Sequence, residues 1–91
     1  MKQEDFDEVV AEMNENIVRK KQLVKSKLVL ARETAKELDN QYPRLGLADD
    51  LLRYTNEWMK EKSECETYRG AVNIVLQTIR DRYNLNMTLL D

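Results

Sequence analysis

One proline and two glycines in 91 residues leave this chain few places to turn. Pro43 and one of those glycines, Gly46, fall together in the stretch Tyr42-Pro43-Arg44-Leu45-Gly46. Proline donates no backbone hydrogen bond and pushes the residue before it out of helical geometry, so a helix arriving here stops. Gly46 supplies the freedom to reverse direction, and Asp49 and Asp50 then stand where acidic side chains favour a helix N-terminus. The stretch predicts an all-α chain, a long antiparallel helical hairpin in a single domain 1–91. Helix 1 is expected over about 4–41, the turn over 42–46, helix 2 over about 48–83 and an apolar C-terminal tail over 84–91.

The apolar spacing agrees with this division. Phe6, Val10, Met13, Ile17, Val24, Leu28, Ala31, Ala35, Leu38 and Tyr42 recur mostly at three and four, one stripe of an amphipathic helix. Leu51, Tyr54, Trp58, Cys65, Tyr68, Val72, Val75, Ile79 and Tyr83 repeat the pattern in the second half. Lys62 interrupts that stripe, and Ser63 with Glu66 matches a capping box, so the alternative is a break near Ser63 and a three-helix bundle. Asn84 is placed to end helix 2, and Leu85, Met87, Leu89 and Leu90 beyond it are expected to cap the bundle or dock on another chain.

Charge supports the hairpin independently. Arg19, Lys20, Lys21, Lys25, Lys27 and Arg32 form a basic segment without an intervening acid. Folding about residue 44 sets it beside Glu57, Glu61, Glu64 and Glu66, so facing numbers sum to about 88. Each exposed pair is worth only ~0–1 kcal/mol, but other registers set like charges together. Both helices also carry large apolar residues off the main stripe: Val9, Leu23 and Leu30 in the first, Leu52, Met59 and Leu76 in the second. A second hairpin would cover them, so a homodimeric four-helix bundle is expected. Its self-association set is Leu23, Leu30, Leu52, Trp58, Met59, Leu76, Leu85, Met87, Leu89 and Leu90.

The composition removes several chemistries. With no histidine there is no ordinary proton shuttle near neutral pH and no Ser-His or Cys-His nucleophile pair. The lone Cys65 lies on the apolar stripe between Glu64 and Glu66, which oppose thiolate formation, and it fits a reducing compartment. Glu12 with Glu15 and Glu61 with Glu64 have the Glu-x-x-Glu spacing that helical nucleotide pyrophosphatases use for magnesium. In a hairpin these pairs stand too far apart for one metal cluster within a chain. No apolar run reaches the ~18–20 residues that span a bilayer, and the first residues hold no signal core. The turn lacks the Trp-X-Gly of secreted helical-hairpin effectors, and no family motif is assigned.

These features predict a cytoplasmic, non-enzymatic interaction protein that needs no cofactor or metal and binds no membrane. It is expected to act as an inhibitor, adaptor or assembly factor on a macromolecular partner, in the manner of phage proteins that block a host system. The partner-binding candidates are Arg19, Lys20, Lys21, Lys25, Lys27 and Arg32. The alternatives are a nucleic-acid or nucleotide binder through that segment, and a magnesium-dependent nucleotide hydrolase with carboxylates meeting across a dimer.

Overall fold

The computed structural model describes residues 1–87 as two long helices folded back on each other. Helix α1 runs Gln3–Lys36 and tightens into a 3₁₀ turn over Glu37–Asp39, and α2 runs Leu47–Tyr83. The hairpin measures 63 × 16 × 14 Å. Helix α2 passes through Ser63 without interruption, so the three-helix alternative does not form.

The first helix stops at Lys36 instead of near residue 41. Asp39 and Asn40 are poor helix formers, and Asn40 is already extended (φ −70°, ψ 141°) ahead of Pro43. Tyr42, expected on the stripe, is 85% exposed as a result. Gly46 caps α2 with φ 85°, a left-handed conformation that disfavours any side chain, and its carbonyl accepts the first helical bond from Asp50 N–H at 3.0 Å. Arg44 clasps the turn, with Nε donating to Glu37 Oε2 and Nη1 to Asp50 Oδ2, both at 2.8 Å. The bonds to Asp50 and then Glu37 hold its guanidinium above its ordinary pKa.

The early stop changes the register. Asn16 meets Tyr68 and Lys27 meets Glu57, both sums of 84, while Lys20 over Tyr68 gives 88, so the facing numbers centre below the expected 88, by up to one helical turn toward the bend.

The main core lies at the open end, away from the bend. Phe6, Ile17, Val72 and Leu76 are buried together, with Val9, Val10, Met13, Tyr68 and Ile79 packed against them. Full burial of a Phe, Leu or Ile side chain contributes about 1.5–3 kcal/mol, so this cluster is the main anchor of the pair. Towards the bend the buried residues are mostly smaller: Ala31, Thr34, Leu47 and Cys65. Thr34 satisfies its hydroxyl by donating to the Leu30 carbonyl at 2.9 Å.

Three of the expected self-association residues belong instead to this monomer core. Leu76 is 1% exposed, whereas Val75, expected on the stripe, is 55% exposed. Both residues satisfy the spacing from Val72, and packing against α1 chooses the second. Leu85 and Met87 also pack on the core, so this part of the tail folds back on its own chain. The reversal begins at Asn84, left-handed at φ 52°, where the Leu85 N–H reaches the Arg80 carbonyl at 2.9 Å. Gln3 then ties the ends together: its Nε2 donates to the Asn86 carbonyl and its Oε1 accepts from the Asn86 N–H, both at 3.0 Å. Leu89 and Leu90 lie outside the described residues.

Candidate interaction surface

A hairpin has two long faces, one on each side of the seam, and they divide the basic segment between them. At about 100° per residue, Lys20 and Lys21 diverge to opposite sides of the stripe. The contacts place them accordingly.

On one side, here the Tyr68 face, the Tyr68 hydroxyl accepts from Asn16 Nδ2 at 3.2 Å and donates to Met13 Sδ at 3.5 Å. Lys20 Nζ stands 4.9 Å from the centre of the Tyr68 ring, a cation–π contact. Arg19 Nη2 donates to Asn16 Oδ1 at 2.9 Å, and Asn16, Arg19, Lys20 and Tyr68 line a hollow of about 370 Å³. Further along, Lys27 Nζ reaches Glu57 Oε2 at 3.2 Å across the seam. That pair bears out the expected pairing of the basic segment with α2, at the corrected register. Nearer the bend Arg53 stays on its own helix, donating to Asp50 Oδ1 at 3.3 Å and to the Tyr54 hydroxyl at 3.1 Å.

On the other side a groove of about 200 Å³ opens between the helices, lined by Lys21, Val24, Lys62, Cys65, Glu66 and Arg69. Val24 and Cys65 form an apolar floor, and Lys21, Lys62 and Arg69 supply three cations against the one carboxylate of Glu66. Lys25 and Arg32, four and eleven residues beyond Lys21, continue the positive edge along α1 and are exposed. Lys62 Nζ also lies 5.4 Å from the centre of the half-buried Trp58 ring, which keeps its charge over the groove mouth. Cys65 is 8% exposed, a packed thiol facing a cationic rim.

The basic segment is therefore two half-patches: Arg19, Lys20 and Lys27 on the Tyr68 face, and Lys21, Lys25 and Arg32 along the groove. Lys62 and Arg69, the α2 half of the groove, were missed by reading the chain linearly. Their signal is a spacing of seven on one side of α2 together with the antiparallel register, which sets both near Lys21.

The exposed apolar residues are split as well. Leu23 and Leu30, 42% and 40% exposed, follow Lys20 and Lys27 on the Tyr68 face. Leu52 and Met59, 62% and 56% exposed, lie on the outer surface of α2 away from the seam, Leu52 in a hollow with Arg53, Asn56 and Glu57. No single flat face presents all four.

The carboxylate pairs stay apart. At the observed register Glu12 lies near residue 72, about 16 Å along the axis from Glu61 at 1.5 Å per residue. Among the described residues no three acidic or thiol side chains converge on a point that would hold a metal ion. No described helix is long and apolar enough to cross a membrane. No protein-family model, curated protein or solved structure matches the chain.

Proposed function

We propose that this chain is a non-enzymatic, self-associating interaction module that occupies an acidic surface on another macromolecule, as an inhibitor, adaptor or assembly factor does. The observation that carries this reading is the groove in which Lys21, Lys62 and Arg69 converge around Val24 and Cys65. An apolar floor with a cationic rim suits an acidic amphipathic segment, which buries its apolar side while its carboxylates meet the rim. Small helical proteins of phage and mobile elements that block host systems offer the nearest analogy, and a reducing cytoplasm suits the unpaired Cys65.

The test is capture of a stoichiometric partner from a host lysate by the wild-type chain and by a Lys21→Glu, Lys62→Glu, Arg69→Glu variant of unchanged helicity. Capture by the first and not the second supports the reading. Absence of a stoichiometric partner, or equal capture by both, contradicts it.

The same three cations favour a second reading, a nucleic-acid or nucleotide binder. Binding to a labelled oligonucleotide that weakens steeply between low and moderate salt, and that the same reversals abolish, would establish it.

A further inference from the structure

We propose that the Tyr68 face is the docking surface for a second copy of this chain, with α1 of each copy lying over α2 of the other. The inference rests on the self-association in the reading above and goes further by fixing which face is used, in what orientation, and which expected interface residues stay outside it.

Charge selects the arrangement. On this face α1 presents Arg19, Lys20 and Lys27, and α2 presents Glu57, Glu61 and Glu64. Glu61 and Glu64 follow Glu57 by four and seven residues and so share its side of α2. Two hairpins placed face to face have two simple two-fold arrangements. With the axis perpendicular to the helices, α1 lies over α1. Full overlap then sets Lys20 against Lys20 and Glu64 against Glu64 near the axis.

With the axis parallel to the helices, α1 lies over the second copy's α2, antiparallel and in the register already found within the chain. Lys20 then faces Glu64 of the second copy and Lys27 faces its Glu57, while Leu23 meets the aliphatic stem of its half-buried Glu61. Opposite charges meet along the length of the contact, and the arrangement is closed and isologous.

Packing supplies the reason to associate. Leu23 and Leu30 remain 42% and 40% exposed, on either side of Lys27. The hairpin is 63 Å long and 16 Å across, so a face-to-face pair has room to bury the ~800 Å² per partner of a standard specific interface. The groove side offers no comparable self-contact, because two copies there would oppose Lys21, Lys62 and Arg69 to the same cations. Leu52 and Met59 lie on the outer surface of α2 and stay outside the dimer. Both basic grooves of the dimer then face outwards.

Sedimentation equilibrium tests this on the full chain, with circular dichroism as the folding control. The wild type and a Leu52→Ser, Met59→Ser variant are expected at twice the chain mass, and a Leu23→Ser, Leu30→Ser variant of equal helicity at the mass of one chain. A second pair avoids apolar truncation: Arg19→Glu, Lys20→Glu in one chain and Glu61→Lys, Glu64→Lys in another. Each alone is expected to be monomeric, and an equimolar mixture to form a heterodimer, because only the mixed pair matches charges between copies. A monomeric wild type at high micromolar concentration, a mixture that stays monomeric, or dissociation by the Leu52/Met59 change instead of the Leu23/Leu30 change overturns the proposal. Failure to capture a partner through the groove leaves these masses unchanged, dissociation by the Leu52/Met59 change overturns only the choice of face, and a monomeric wild type removes self-association from both readings.

Discussion

Replacing Leu76 by alanine and, separately, Val75 by alanine measures which side of α2 faces α1. Leu76 is 1% exposed within the Phe6–Ile17–Val72 cluster, and its neighbour Val75 is 55% exposed. Truncating a fully buried leucine loses transfer free energy and leaves a cavity, together about 2–5 kcal/mol. Native domains keep only about 5–15 kcal/mol in all, so that loss is large. Val75→Ala removes little buried surface and replaces a β-branched residue by the best helix former, so its effect is within about 0.5 kcal/mol and can be stabilising. The assay is urea unfolding followed at 222 nm, with both variants at one chain concentration because self-association shifts apparent stability. At a mid-range slope of about 2 kcal/mol per molar urea, Leu76→Ala should lower the midpoint by roughly 1–2.5 M and Val75→Ala by a few tenths at most. Equal losses, or a larger loss from Val75→Ala, would refute the core described here.

Three further outcomes follow from the backbone and the thiol. Gly46→Ala should destabilise by about 1–2 kcal/mol because φ 85° strains any side chain, whereas Gly70→Ala, in mid-helix with open space at the missing Cβ, should stabilise by about 0.5–1 kcal/mol; urea midpoints read both. Asn84→Gly should raise the urea midpoint slightly, and Asn84→Val should destabilise by about 1–2 kcal/mol, because the left-handed residue that ends α2 tolerates glycine and opposes β-branching. Cys65, 8% exposed, should react with Ellman's reagent only as fast as the helices separate, so that urea accelerates labelling in step with the loss of helicity.

What the sequence conveyed and what it concealed have separate physical causes. Pro43, Gly46 and Asn84 act through the backbone, so the bend and the end of α2 were visible without knowledge of packing. The stripe of α1 was visible because Ile17 and Ala31 continue it at three or four from Met13 and Leu28, whereas their apolar neighbours Val18 and Leu30, 44% and 40% exposed, miss that spacing. Val75 and Leu76 do compete, since both follow Val72 at helical spacing, and only the facing helix decides between them. The early stop of α1 depends on Asp39 and Asn40, whose weak propensities a long apolar stripe conceals. The site was hardest to read. A run of cations in sequence appears as one patch, but helical geometry sends Lys20 to Tyr68 and Lys21 to Lys62 and Arg69. The groove is made by residues far apart in the chain, and its α2 half becomes apparent only once the register is known.

The account depends on the chain reversing once between Asp39 and Leu47, so that its two ends meet. Spin labels at cysteines replacing Glu4 and Arg82, in a Cys65→Ser background diluted with unlabelled chain, measure this by electron double resonance. Helices packed about 8–10 Å apart, plus the label linkers, predict a distance of about 15–30 Å that persists on dilution. A distance beyond about 60 Å, or a short distance that vanishes on dilution because the ends meet only between chains, would contradict it.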